Sequence, residues 1–117
     1  MNRNILTTFT VFAFVSSVHA DDLSADDAER LFTLKVKQVL SEKCFGCHGG
    51  DPTKKIKGGL DLTTREGFLK GGDEFPDTLV PSSAAKSFVI KAVKWEDEDY
   101  EMPPKANDRL SETQVQY

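Results

Sequence analysis

A chain of 117 residues, 38% hydrophobic and 29% charged, has room for one small domain with a thin core. Acidic residues outnumber basic ones by 19 to 15, giving a net charge of −4. That balance excludes nucleic acid and anionic membrane surfaces as natural partners and favours a basic protein.

The first segment reads as an address. Arg3 supplies positive charge, the stretch from Ile5 to Val18 is mostly apolar, and Val18-His19-Ala20 is a small-residue cleavage site followed by Asp21 and Asp22. This pattern predicts a secretory signal peptide over residues 1–20, with a mature domain over 21–117. The apolar run of roughly 14 residues is too short for a stable membrane span, and Thr7, Thr8, Thr10, Ser16 and Ser17 dilute it. Loss of Arg3 with the signal takes the net charge from −4 to −5.

A helix is expected next. Ser24 is a good N-cap, and Asp26, Asp27 and Glu29 sit in the first turn, where carboxylates favour the helix dipole. Phe32, Val36, Val39 and Leu40 follow helical spacing and lead to Cys44, so this stripe is expected to pack the core beside the motif that follows. Gly46, Gly49 and Gly50 end the helix.

That motif, Cys44-Phe45-Gly46-Cys47-His48, has the C-x-x-C-H spacing of c-type haem attachment. Two thiols three residues apart can add to the two vinyl groups of one porphyrin, and the neighbouring imidazole is carried under the iron. Cys44 and Cys47 are therefore the candidate covalent attachment points for one haem c, and His48 is the candidate proximal iron ligand. The alternatives are a zinc site, a redox dithiol and a local disulfide. Zinc usually takes about four ligands, and beyond the signal segment the chain has no other Cys or His. A thioredoxin-like site needs a strand before the motif, where this sequence reads as helix.

From Asp51 to Pro81 the chain reads mostly as loop. Lys54, Lys55 and Lys57 form a basic run that is either a solvated face or a propionate or partner contact. Gly59-Leu60-Asp61-Leu62 places two leucines on one side of an extended segment. Thr63 or Thr64 then caps a short helix through Leu69, ended by Gly71-Gly72. Arg65 is either a propionate partner or a surface residue. Ser82 and Ser83 are expected to cap a further helix through Val93, with Phe88, Val89, Ala92 and Val93 as its buried stripe. Trp95 is expected to pack in the core, the alternative being an indole N–H that finds a carboxylate or carbonyl near the haem, and Glu96 to Asp99 to form a solvated acidic loop.

Met102-Pro103-Pro104 is the second informative element. Once Met1 leaves with the signal, Met102 is the only methionine. A lone Met usually fills gaps in a core. This one lies in an acidic, proline-rich loop, where two prolines restrict the backbone beside its thioether. Met102 is the candidate distal iron ligand, and His/Met ligation raises the reduction potential. Ser111-Glu112-Thr113-Gln114 reads as a capping box opening a last helix.

Taken together, Val39-Leu40 before the cysteine motif, Lys57 to Leu62, Thr64 to Gly67, Val80-Pro81, Ser87 to Val93 and Met102 to Pro104 carry a resemblance. The chain resembles the cytochrome c-like domain of planctomycete-type exported proteins. The resemblance implies an all-α, class I cytochrome c fold, haem on Cys44 and Cys47, His48 proximal, Met102 distal, and further domains following in the full-length protein. It also implies a longer C-terminal helix than Tyr117 allows, so the last helix is expected to be truncated, part of the apolar face around Phe32 and Val36 to be exposed, and the domain to be marginally stable unless haem or a partner compensates. No clear counterpart exists for the proline that often orients the proximal imidazole.

These readings give an expected function: a one-electron Fe(III)/Fe(II) carrier, exported to the periplasm or cell surface, serving a redox protein partner. No substrate bond is made by its side chains, so it is not expected to be an enzyme. The alternative is a haem enzyme or sensor with an open distal site that binds peroxide or a gas.

Overall fold

The computed structural model describes residues 23–117, and the signal-peptide reading of residues 1–20 lies outside them. The described residues are helical and contain no strand, as the sequence predicts. Among them no helix is long and apolar enough to cross a membrane.

The first helical stretch has three parts: α1 (Ala25–Leu31), a π turn (Phe32–Val36) and α2 (Lys37–Lys43). Ser24 caps α1 as expected, its hydroxyl accepting from the Asp27 N–H. The π turn changes what the stripe buries. An α-helix advances about 100° per residue, so a wider turn rotates everything before it relative to everything after. Val39 and Leu40, after the π turn, are buried, and Val36 is half-buried. Phe32, at the start of the π turn, is 46% exposed, in line with the expectation that part of the apolar face around Phe32 and Val36 is uncovered.

Next come a 3-10 turn (Lys57–Gly59) and α3 (Arg65–Lys70). Of the two candidate caps it is Thr64 that serves, its hydroxyl accepting from the Gly67 N–H at 3.0 Å. α3 stops at Gly71.

The expected helix from Ser82 or Ser83 is corrected. The chain makes a 3-10 turn (Ala84–Lys86), and α4 (Phe88–Lys94) starts only after Ser87. Its first free N–H groups are satisfied by backbone from a distant segment: Phe88 donates to the Asp77 carbonyl and Val89 to that of Thr78. Such partners remove the need for a local side-chain cap. Ser87, 2% exposed, turns elsewhere; its hydroxyl accepts from the Val80 N–H at 2.9 Å and donates to the Ser83 carbonyl at 2.8 Å.

Phe75 stacks on Phe88 at 3.7 Å between ring centres, and Tyr100 meets both edge-on. This cluster joins the loop before α4, the helix itself and the loop after it. The Tyr100 hydroxyl donates to Glu74 at 2.6 Å, which raises the phenol above its ordinary pKa. A 3-10 turn (Ala106–Asp108) leads to α5 (Glu112–Gln116). The predicted capping box is complete, with the Ser111 N–H donating to the Gln114 side chain and the Gln114 N–H to the Ser111 hydroxyl.

The core is thin. Among the described residues the buried apolar side chains are Val39, Leu40, Leu62, Ala92 and Pro103, and none is fully buried.

Candidate functional site

α2 delivers the cysteine motif by ending on it. The Cys44 N–H still donates helically to the Leu40 carbonyl, and Phe45 donates to the same oxygen. The chain then curls, so that Cys47 and His48 both donate to the Cys44 carbonyl, at 3.1 and 3.0 Å. This turn holds two thiols and an imidazole within one tight loop. Cys44 is half-buried and Cys47 exposed. Burial, with Cys47 beside it, pushes the Cys44 thiol up to about 11. An activated redox thiol is shifted the other way. Among the described residues no group of three or more His, Cys, Asp or Glu side chains converges to hold a free metal ion.

The segment after the motif returns to support it. The Lys57 N–H donates to the Cys47 carbonyl and the Leu62 N–H to the His48 carbonyl, both at 3.0 Å. Between these bonds the Leu60 carbonyl lies 3.2 Å from Nδ1 of His48. A carbonyl only accepts, so Nδ1 is the donor of this bond, and in the neutral ring Nε2 is then the nitrogen that carries the lone pair. The imidazole is thus oriented and its tautomer fixed by a backbone atom that no sequence motif announces. The signal for it was Gly58-Gly59, the turn that brings the chain back.

That turn demands glycine at position 59. Gly59 has φ +62°, and a Cβ there would run into the Asp73 carboxylate. Gly49, next to His48, has φ +105°, and a Cβ there would meet Asp61, whose carboxylate accepts from both the N–H and the hydroxyl of Thr63. Gly59→Ala is therefore expected to cost about 1–2 kcal/mol for the left-handed backbone alone. A denaturant titration measures this, and a midpoint equal to the wild type would refute the tight return.

The other sequence candidates divide. Lys54 pairs with Asp51 at 2.8 Å in the turn after the motif. That ion pair, with hydrogen bonds from Thr53, holds the Asp51 carboxyl well below the usual carboxylate range. Lys55, Lys57 and Arg65 are exposed, and none has an ion pair among the described residues.

Met102 lies in the loop after α4 and is 38% exposed, while the next residue, Pro103, is buried. The Met102 N–H donates to the Ala92 carbonyl at 3.0 Å. Its own carbonyl accepts from the Trp95 indole N–H at 3.3 Å. Trp95 was expected to pack in the core, but it is half-buried and its indole N–H reaches the methionine loop.

The family model of planctomycete cytochrome c matches residues 44–106. The chain belongs to that family. No curated protein and no solved structure matches it. The matched span opens on Cys44 and runs past Met102, so both candidate iron-binding loops of this cytochrome lie within it. Family membership and the strand-free helical fold agree on a small cytochrome c-like domain, and with it on a haem-binding, electron-transfer class of protein. The residues fit a haem: two thiols and an imidazole stand together in the motif turn, and the thin core lacks the apolar mass that a porphyrin supplies.

Proposed function

We propose that this cytochrome carries one electron at a time on a single haem c, held covalently by Cys44 and Cys47 with His48 and Met102 as iron ligands. The observation that carries the reading is the Leu60 carbonyl at 3.2 Å from His48 Nδ1. It occupies Nδ1, so that in the neutral ring Nε2 is the nitrogen available to a metal. The bound haem supplies the Fe(III)/Fe(II) couple. The protein's part is positional: Cys44 and Cys47 tether, His48 is held in one orientation, and Met102 offers a soft neutral sulfur that favours the reduced state.

Residues 1–20 support export, and the haem would then be attached outside the cytoplasm. The net charge of −4 supports a basic redox partner. Electron transfer to a basic partner protein is expected to slow at least ~10-fold between low and physiological ionic strength. A rate independent of salt would refute that choice of partner. Further domains in the full-length protein would make this module the electron relay of a larger exported assembly.

Absorption spectra of the matured protein, oxidised and reduced, test the central reading. Haem that stays with the polypeptide through acid-acetone extraction, low-spin in both states with a weak sulfur-to-iron band when oxidised, is the expected result. A high-spin oxidised form that binds peroxide would instead favour an enzyme or sensor.

A further inference from the structure

Met102 is gripped by its backbone on both sides, and both grips come from the C-terminal end of α4. Its N–H donates to the Ala92 carbonyl at 3.0 Å, which fixes the peptide before its Cα. Its carbonyl accepts from the Trp95 indole at 3.3 Å, which fixes the peptide after. The side chain needs this help. A thioether has three rotatable bonds and only a weak acceptor, and at 38% exposure packing does not immobilise it.

Trp95 itself adopts an unusual backbone for the task. It is the C-cap of α4 with φ 61° and ψ 40°, the left-handed region where glycine is the usual residue and a side chain is disfavoured. Glycine there would end α4 equally well. Tryptophan there sends an indole back to the Met102 loop. The guanidinium of Arg109 lies 5.1 Å from the indole ring and donates to the Lys94 carbonyl at 3.1 Å. Arg109 thereby holds the ring in the orientation that aims its N–H at Met102.

We propose that Trp95 is a positioning residue for Met102: its indole N–H, steadied by Arg109, clamps the methionine loop and opposes release of the sulfur. The inference rests on the reading of Met102 as distal ligand. With both flanking peptides held, the sulfur can leave only by rotation of its own side chain, whereas a loosened loop can also withdraw the whole residue. Removing one of the two hydrogen bonds shifts the competition towards an added ligand.

The test uses the full matured chain. Imidazole is titrated into the oxidised protein while the sulfur-to-iron band is followed, for the wild type and Trp95→Phe. The expected result is a band in both, with imidazole displacing it about fivefold more readily in the variant, as loss of one hydrogen bond predicts. Unchanged imidazole affinity with the band intact overturns the clamp and leaves Met102 as ligand. A lower denaturant midpoint with unchanged imidazole affinity also overturns it, because Trp95 then only packs. A wild type without the band, unaffected by Met102→Ala, overturns both readings. Should Trp95→Phe fail to mature, hydrogen exchange of the indole N–H in the wild type gives the answer. Saturating imidazole is expected to speed it at least ~fivefold, and an unchanged rate overturns the proposal.

Discussion

Replacing both thiols, Cys44→Ser with Cys47→Ser, is expected to yield a chain that surrenders its haem to acid-acetone and loses most of its helical circular dichroism. The first effect follows from the bonds removed. The second follows from the core. Among the described residues just five apolar side chains are buried, and apart from the continuous helical stretch from Ala25 to Lys43 the helices are short, the longest having seven residues. Isolated helices under about 12–15 residues are marginal in water, so α3, α4 and α5 depend on what they pack against. A tethered cofactor acts at an effective concentration of order millimolar or above, whatever the free concentration. A ligand that binds the folded state stabilises it by the logarithm of concentration over Kd, so untethering removes stability even where His48 and Met102 remain. Single replacements are expected to fall between the extremes, since one bond still tethers. A double variant that folds without haem, with wild-type helical signal, would show that the protein alone makes the core.

Local chemistry was legible in the sequence and returning chain was not. The caps at Ser24, Thr64 and Ser111 depend on residues three apart, and each forms as read. The cap at Ser82 or Ser83 fails because α4 is capped by the Asp77 and Thr78 carbonyls, which arrive by tertiary folding and carry no side-chain signature. The exposure of Phe32 was legible, as part of the apolar face expected to be uncovered, but the π turn at which it stands was not. At the site, side-chain identities name the candidate donors Cys44, Cys47, His48 and Met102. What orients two of them is backbone and a turned tryptophan: the Leu60 carbonyl for His48, and Ala92 with Trp95 for Met102. Every residue has a carbonyl, so no composition or spacing reveals which one faces an imidazole.

Met102→Ala is expected to abolish the sulfur-to-iron band and lower the reduction potential by ~100 mV or more, within the ~0.8 V range that axial ligation spans. A shift of that size corresponds to about 2 kcal/mol less stabilisation of the reduced relative to the oxidised state. The fold is expected to survive, because Met102 is 38% exposed and its backbone contacts, the Ala92 and Trp95 hydrogen bonds, do not depend on its side chain. Truncation at an exposed position typically costs under about 1 kcal/mol, so the redox effect exceeds the folding effect and the two separate in one experiment. Voltammetry reads the first and a denaturant titration the second. The reduced variant should also bind carbon monoxide readily, since alanine leaves the sixth position to an added ligand. An unchanged spectrum and potential would remove Met102 from the iron. The haem would then have an open distal face, and peroxide or gas binding would become the better account of what this cytochrome does.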